Sequence, residues 1–350
     1  MNKIKQSFSY IIIFLVSYLI YVYPFDVINY LLIDEGLYKV TSIFFTLFIY
    51  LIVIFYFKTK NTFFLFKILV HEGMGVGFIS FWIANIYLII NLISTINPFY
   101  LGIACISSIF LVCGLSYFLG GLIRIRKIKI ISSKISKRQK LLFISDVHLG
   151  SNSTKYLQKL CMKINSLEFD LLLIGGDLID SSNFKIENLK IMKDIRKPIL
   201  FVTGNHEYYL KDYKSKLKLL KNNNINFLNN KSYLHNEINI IGISDNQSIN
   251  EQKFIAHKSI KNNLFNLVLI HKPSLWEKVN EKTDLMLCGH THNGQIFPFN
   301  FFVKLKYANI YGLYEKLNSK LYVSSGAGCW GPKMRLGSQN EIVELILISN

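Results

Sequence analysis

Cysteine is scarce in this sequence and forms no recognisable pairs. The chain has five cysteines in 350 residues, an odd number, and contains no C-x-x-C motif. This usage excludes a disulfide framework and argues against a zinc knuckle. The sequence also lacks an internal repeat, a P-loop and a Rossmann fingerprint. Its chemistry must therefore be sought in other residue types.

Acidic residues are few relative to basic ones. The chain has 40 Lys and Arg against 22 Asp and Glu, a net charge of +18. Nucleic acid, an anionic membrane surface and a phosphorylated substrate are the partners that such a balance suits. Residues 1–140 carry 14 basic and 4 acidic residues, so much of the excess lies in the first part of the chain. This favours a lipid bilayer as partner, and no stable nucleic-acid partner is expected.

Long apolar runs are absent after residue 123 and abundant before it. Half of the chain is hydrophobic, with a mean hydropathy of +0.30. A membrane-spanning helix needs roughly 20 apolar residues. No small-residue cleavage site follows the first run, which favours a retained helix over a signal peptide. The sequence predicts a four-helix transmembrane region in residues 1–123, with spans at about 8–25, 38–57, 76–94 and 99–122.

Basic residues alternate along the loops between these spans. The N-terminus and the second loop contain lysines, whereas the first loop has none. Residues 124–140 hold eight basic residues and no acidic one, and we interpret them as a juxtamembrane linker. This alternation predicts a multi-pass cell-membrane protein whose catalytic domain, residues 141–350, is cytoplasmic. His71 and Glu72 are interpreted as residues of a cytoplasmic segment near the third span, rather than as a polar site at membrane depth.

The pattern changes after residue 141 to short apolar runs, each followed by polar residues. The runs "KLLFISDVHLG", "FDLLLIGGDLID" and "PILFVTGNHEYY" alternate with lysine-rich amphipathic segments. Two later runs, "NLVLIHKPS" and "DLMLCGHTHNGQ", end in histidines. Strands alternating with helices are typical of α/β folds. Such sheets bind ligands at the carboxyl ends of their strands, so we expect these polar residues to form one site.

The side chains in these clusters are carboxylates, imidazoles and an amide. Mixed oxygen and nitrogen donors suit Mn²⁺, Fe²⁺, Zn²⁺ or Ni²⁺ better than Ca²⁺. The donors are too many for a single four-coordinate ion. The sequence therefore predicts two divalent metal ions, an arrangement that can clamp a phosphoryl group during displacement. Mn²⁺ is the expected ion, with Fe, Zn or Ni as alternatives.

The motifs "DVHLG", "GGD", "GNHE", "IHKP" and "GHTHNGQ" together resemble the signature of the calcineurin-like metallophosphoesterases. The resemblance covers about residues 140–350, and the late segment "SSGAGCWGPKMRLG" is similar to one in bacterial membrane-linked members. It implies an α/β (αββα) fold, a two-sheet β-sandwich flanked by helices. Asn293 and Glu207 differ from the usual glycine and aspartate, which affects the fine geometry of the site.

The resemblance also implies seven metal ligands in two groups that share one member. The first group is Asp146, His148 and His292; the second is Asn205, His271 and His290; Asp177 bridges the two. His206 would not be a ligand. It would act on the substrate as a general acid or as a hydrogen-bond donor to developing charge.

Two further segments allow alternative interpretations. Arg335 follows a tryptophan–proline turn and could hold a phosphate bidentately, or it could be a plain surface residue. The aromatic-rich segment 297–314 could form a lip for an acyl chain or enter the membrane interface, or it could consist of ordinary core and edge-strand residues.

These features together predict a membrane-anchored phosphoesterase with two metal ions. It would use a metal-activated water to hydrolyse a phosphodiester or pyrophosphate bond, on a membrane-associated substrate such as a lipid-linked one. Two alternatives stay open. One is a phosphodiesterase for soluble nucleotides or nucleic acid, with the membrane as a tether. The other is a non-enzymatic membrane sensor.

Overall fold

The computed structural model describes residues 3–37, 39–59, 64–211, 213–220 and 223–350. The chain divides into two compact units. The first consists of Met1–Phe118 and the short segment Gly331–Met334, and the second of Leu119–Trp330 and Arg335–Asn350.

The first unit is helical. Its helices in the described part of the chain are α1 (Lys3–Tyr21), α2 (Tyr23–Ile33), α3 (Lys39–Thr59), α4 (Phe64–Ile93) and α5 (Pro98–Gly120). Four segments within them are long and apolar enough to cross a membrane: Ser9–Ile33, Lys39–Lys58, Leu65–Ile93 and Pro98–Gly120. The prediction of four apolar helical segments is confirmed, although the first and third extend beyond the predicted bounds.

His71 and Glu72, interpreted as residues of a segment near the third span, lie within a helix. Helix α4 begins at Phe64, well before the predicted start of the third span, so both residues are helical. The glycines that follow them allow close helix packing. A Cβ atom added at Gly73 would lie 2.9 Å from the ring of Tyr21 on α1. Small residues are common where apolar helices approach each other in this way.

The second unit is built on two mixed sheets of six strands each, within the described residues. The first sheet has the order β1 (Ile123–Ile131), β12 (Asn340–Ile348), β2 (Gln139–Ile144), β3 (Leu171–Ile174), β4 (Ile199–Phe201), β5 (Ile225–Phe227). The second has the order β10 (Gly312–Lys316), β11 (Ser319–Val323), β9 (Leu285–Cys288), β8 (Phe265–Leu269), β7 (Ile238–Gly242), β6 (Lys231–His235). Strands β2 to β5 are parallel, as are β7, β8, β9 and β11.

The main core lies between the two sheets. Leu141 and Phe143 of β2 belong to the same buried cluster as Leu267 of β8 and Leu287 of β9. Successive side chains of a strand point to opposite faces, so the neighbours of Leu141 and Phe143 face outward. Leu142 accordingly belongs to a second cluster, on the outer face of the first sheet. This arrangement confirms the predicted two-sheet sandwich.

Helices flank the two sheets. They are α6 (Thr154–Asn165), α7 (Asn205–Tyr209), α8 (Tyr213–Leu220), α9 (Ile249–Ser259), α10 (Trp276–Val279), α11 (Phe299–Lys306) and a 3₁₀ helix at Ile186–Asp194. Helix α6 shows why such segments are helical. Ser153 caps its N-terminus by accepting the N–H of Tyr156, and its buried residues Leu157, Leu160, Cys161 and Ile164 follow helical spacing.

The predicted juxtamembrane linker, residues 124–140, is not a linker in the structure. Much of it forms β1, an edge strand that pairs in parallel with β12. Ile128 and Ile130 are buried on one face, while Lys127 and Lys129 are exposed. Isoleucine alternating with basic residues is the period-two pattern of a half-buried strand. Exposed lysines also protect a sheet edge from pairing with other chains.

Two adjacent isoleucines test the assignment of this segment as a half-buried strand. Ile130 is 2% exposed, whereas its neighbour Ile131 is 52% exposed. We expect Ile130→Ala to lower the free energy of unfolding by about 3 kcal/mol, the usual loss for a truncated core side chain, and Ile131→Ala to change it little. Thermal unfolding of the detergent-solubilised chain measures both. Equal, small effects would restore the interpretation of this segment as a linker.

Candidate metal centre

The predicted site residues all follow strands whose carboxyl ends meet. β2, β3 and β4 of the first sheet and β8 and β9 of the second lead into these loops. Backbone hydrogen bonds tie the loops to each other: the N–H of Asp146 donates to Gly176 O at 3.0 Å, and that of Gly289 donates to His271 O at 2.9 Å. The two sheets thus present their polar residues to one another.

The first predicted ligand group converges on one point. His148 Nε2 and His292 Nε2 lie 3.0 Å apart. Asp146 Oδ1 lies 3.5 Å from His292 Nε2 and 3.8 Å from His148 Nε2. The side chains of Asp146 and His148 are almost completely buried. Three donor atoms directed at one another in this way form a plausible site for one metal ion.

The second group has the same character. His271 Nε2 lies 3.1 Å from His290 Nδ1. Asn205 Oδ1 is buried and, among the described residues, has no hydrogen-bond partner. A buried amide oxygen without a partner is costly. Coordination of a cation would satisfy it.

Asp177 lies between the two groups. Its Oδ2 is 3.0 Å from His271 Nε2 and 4.0 Å from His148 Nε2. Its Oδ1 accepts the backbone N–H of His206 at 2.9 Å. The structure therefore brings the six predicted Asp and His ligands together, with Asp177 where a bridging carboxylate would stand. Asn205 directly follows Gly204, which packs against the Asp177 carboxylate. The roles of these residues as ligands stay predictions.

Hydrogen bonds orient two of the histidines, and for His271 the hydrogen bond also sets the tautomer. His271 Nδ1 lies 2.9 Å from Gly175 O, a carbonyl that can only accept, so Nδ1 carries a proton. Its Nε2 then faces the site. His290 Nε2 lies 2.9 Å from the hydroxyl of Tyr307, which leaves Nδ1 directed at the site. Such partners orient imidazole ligands and set which nitrogen is free. The residues therefore fit a pair of metal ions.

Electrostatics favours cations at this site. Burial alone would lower the pKa of His271, but the adjacent Asp177 outweighs it and raises this pKa to about 10. The carboxylate of Asp177 therefore favours positive charge beside His271 Nε2. Burial lowers the pKa of His290 to about 2, and the charge on His271 adds to this effect. Burial also lowers the pKa of His292 well below its ordinary value, so both rings are neutral and offer lone pairs.

Many of the predicted ligands have strained backbones. Positive φ angles occur at Asp146 (55°), His148 (50°), Asp177 (52°), His290 (73°) and His292 (50°). A non-glycine residue in this region costs about 1 kcal/mol or more, and such residues cluster at functional sites. The fold must therefore hold these residues in place with interactions made elsewhere.

The two residues that differ from the usual motif, Asn293 and Glu207, both fit the local structure. Asn293 has φ 52°, and asparagine tolerates that region better than most residues other than glycine. The Glu207 carboxylate is fully buried and accepts three backbone N–H groups: Gly204 at 2.8 Å, Asp177 at 3.0 Å and Ile179 at 3.0 Å. Glu207 therefore holds the loops on both sides of the bridging position.

His206 borders the site and is less buried than most of the ligands. Its side chain is 17% exposed, and Nε2 lies 3.9 Å from Asp177 Oδ2. The ring contacts Trp330 and Tyr209 edge-on, with centroid distances of 5.7 Å and 5.5 Å. Burial lowers the pKa of His206 to about 4, against the opposing effect of Asp177. With His148 and Asp177 it also forms a third potential ligand group, so the geometry allows a ligand role besides the predicted role at the substrate.

The proposed phosphate contact of Arg335 is wrong. Its side chain is fully buried. Among the described residues, the guanidinium group donates to Asn340 Oδ1, His292 O, Ser338 Oγ, Ser325 O and Gly328 O, and it also lies 3.3 Å from His292 Nδ1. These bonds use all five of its N–H donors. Arg335 therefore fixes the loop that carries His292.

The sequence interpretation missed three residues beside the site. Asp180 Oδ2 lies 3.5 Å from His148 Nδ1, and Tyr307 contacts His290 as described. Gln295 brackets the backbone of Trp330: its Nε2 donates to Trp330 O at 3.0 Å, and its Oε1 accepts the Trp330 N–H at 2.9 Å. Asp180 follows Asp177 in the same loop, and this proximity was the available signal. No local pattern marks Tyr307.

Comparison with known proteins agrees with this geometry. The family model for the calcineurin-like phosphoesterases matches residues 139–294. A Helicobacter pylori metallophosphoesterase is 34% identical over 64% of this chain and 64% of its own length. A Campylobacter jejuni metallophosphoesterase is 35% identical over 61% of this chain and 60% of its own length. Residues 139–294 therefore lie in a domain that matches the calcineurin-like phosphoesterases.

Some relatives also have membrane segments. A Bos taurus transmembrane protein with a metallophosphoesterase domain is 32% identical over 59% of this chain and 52% of its own length. The matches thus span less than two thirds of these relatives. A solved structure from Thermus thermophilus covers 55% of this chain and 90% of that chain at 10% identity, with a TM-score of 0.36, too low to support an argument. The four apolar helices and the transmembrane relatives together indicate a membrane protein.

Gly204 provides a test of the packing around Asp177. A Cβ atom at Gly204 would collide with the Asp177 carboxylate and come within 2.8 Å of its backbone N. We expect Gly204→Ala to displace Asp177 and to reduce bound metal to less than half of the normal content. Gly114→Ala is the control, since open space surrounds that position. Elemental analysis of the purified variants measures the effect, and unchanged metal content in Gly204→Ala would contradict the packing argument.

Proposed function

We propose that this chain is a membrane-anchored hydrolase that cleaves a phosphodiester or pyrophosphate bond with two divalent ions. The convergence of both ligand groups on Asp177 carries the proposal, because a shared carboxylate is what a two-metal site needs. Asp146, His148 and His292 would hold one ion, and Asn205, His271 and His290 the other. Manganese is the ion that we expect to support the highest activity.

Bound ions would supply an activated water and neutralise charge on the phosphoryl oxygens. The chain's own residues position the reaction. Asp177 and Glu207 fix the loop between the two ligand groups. His206, at the rim of the site and in contact with Trp330, is placed to donate a hydrogen bond to a substrate oxygen. The negative charge of a bound phosphate would raise the lowered pKa of His206, so that the ring could also donate a proton. Arg335 keeps His292 in position and takes no direct part.

The membrane would bring the substrate to this site. β1 begins at Ile123, directly after α5 ends at Gly120, so little chain is available to separate the domain from the bilayer. The exposed Arg124, Lys127 and Lys129 on this strand are suited to anionic headgroups. The alternation of basic residues between successive loops favours a cytoplasmic catalytic domain. We therefore propose a substrate whose phosphate lies at the membrane, such as a lipid-linked diester or pyrophosphate.

Metal removal should abolish activity. We expect chelation of the detergent-solubilised chain to eliminate hydrolysis of a chromogenic phosphodiester, and Mn²⁺ to restore it best among common divalent ions. The measurement is turnover before chelation, after it and after each metal is returned. Full activity with less than one metal ion per chain would exclude the proposed mechanism. That result would indicate an enzyme that does not need a metal ion.

Variants of Asp177 and His206 should behave differently. Asp177→Ala removes the shared carboxylate, so metal content and turnover should fall together. His206→Ala should retain metal but lose about 10²- to 10³-fold in turnover, the effect of removing one donor to developing charge. Elemental analysis and kinetics separate the two outcomes. If His206→Ala also lost its metal, His206 would be a ligand, as its position near His148 and Asp177 allows.

A substrate panel tests the role of the membrane. We expect a lipid-linked diester or pyrophosphate to be turned over faster than its short-chain soluble analogue, because the anchored domain meets it at the bilayer surface. Equal rates would favour soluble nucleotides or similar substrates.

A reporter fused to the C-terminus tests the orientation of the domain. We expect a reporter that is active only in the cytoplasm to be active. Activity of a reporter that works only outside the cytoplasm would reverse the proposed topology.

A further inference from the structure

Helix α11 presents apolar side chains to solvent. Phe301, Phe302 and Leu305 are 56%, 51% and 86% exposed. The whole helix lies in the described part of the chain, and none of its residues is buried. At 3.6 residues per turn these three side chains share one side of the helix. The half-buried residues Asn300 and Val303 lie on the other side.

This orientation is the reverse of that of an ordinary surface helix. A helix that packs on a core buries its apolar side and exposes its polar side. Phe297, just before the helix, is 51% exposed and contacts the ring of Phe301 at a centroid distance of 5.7 Å. The four side chains Phe297, Phe301, Phe302 and Leu305, here called the aromatic face, form a contiguous apolar surface of the kind that marks an interaction site.

The charged residues of the segment that carries the aromatic face are all of one sign. Lys304 and Lys306 are exposed on the same helix. Residues 288–314 contain no Asp or Glu. Phenylalanine and leucine beside lysine are typical of helices that lie in the membrane interface, where the rings enter the acyl region and the lysines reach the headgroups.

We propose that the aromatic face inserts into an anionic lipid surface beside the catalytic site. This proposal rests on the membrane location proposed above. The chain's own apolar helices keep a bilayer within reach, so insertion needs no separate encounter. Anionic headgroups complement Lys304 and Lys306. A second copy of the chain is a poorer occupant, because pairing two such faces would bring four lysines together.

The aromatic face is connected directly to the metal centre. Tyr307, the residue after α11, contacts His290 Nε2 at 2.9 Å through its hydroxyl. Asn300 packs against Gly294, two residues after His292, so closely that a side chain at Gly294 would collide with its backbone. An inserted α11 would therefore hold the metal-site loop at the height of lipid phosphates. Its function would be to present a headgroup phosphate to the site.

Spin labels in the full-length chain test this placement. Cys113→Ser removes the native thiol that is not buried, and Leu305→Cys or Phe302→Cys then adds a label site on the aromatic face. Phe254→Cys on α9, 66% exposed in the native chain, is the control. The proteins are reconstituted into vesicles of phosphatidylcholine and phosphatidylglycerol in equal amounts. Collision rates with oxygen and with a water-soluble nickel chelate are then compared.

We expect labels at 302 and 305 to collide more with oxygen than with the nickel chelate, and the label at 254 to show the reverse. Nickel accessibility at 305 equal to that at 254 would overturn the proposal. So would dipolar broadening that disappears on dilution with unlabelled chain, since a second copy would then cover the face. Hydrolysis of a chromogenic diester by the same proteins, with and without chelator, tests the proposed function separately.

Discussion

The carboxylate of Asp177 is buried between the imidazoles of both ligand groups, with Oδ2 3.0 Å from His271 Nε2 and 4.0 Å from His148 Nε2. A buried carboxylate is costly unless it is paired and hydrogen-bonded. The surrounding structure supplies those interactions. Glu207 binds the backbone on both sides of Asp177, and Gly204 leaves room for its side chain. Both sheets of the sandwich must be in place for this arrangement to exist.

Four acidic side chains are buried around this position. The side chains of Asp146, Asp177 and Asp180 are at most 4% exposed, and Glu207 is fully buried. Burial raises the pKa of Glu207 to about 7, and the charge on Asp177 adds to this effect. Buried charges of one sign are retained where a cation compensates them. The strained φ angles of the ligands point in the same direction, because strain of this kind persists where function requires it.

Much of the site could be predicted from the sequence because each donor follows an apolar run directly. Asp146, Asp177, His206, His271 and His290 stand at strand ends, and the carboxyl ends of neighbouring strands meet. Because each donor residue lies so close to the end of its strand, the meeting of these residues at one site could be predicted without knowing which residues contact each other across the fold. The sandwich itself was expected only through the family resemblance, since periodicity alone predicts α/β layering without assigning strands to two sheets.

The errors have different physical causes. β1 was interpreted as a linker because its partner, β12, lies at the other end of the sequence, and its charge concealed the alternation of isoleucines. Arg335 was placed near the substrate because composition cannot distinguish an exposed guanidinium from one whose donors all bind carbonyls and side chains within a loop. The contact of Tyr307 with His290 depends on the path of α11, which no local motif specifies.

Electron paramagnetic resonance of the manganese-loaded protein tests the central claim most directly. If Asp177 bridges two ions, their spins should couple. The account then predicts a broad exchange-coupled spectrum when the chain is fully loaded, with the isolated-ion hyperfine pattern only at low metal content. An isolated-ion pattern that persists at full loading would contradict a shared carboxylate, even if the protein bound manganese and hydrolysed a phosphoester.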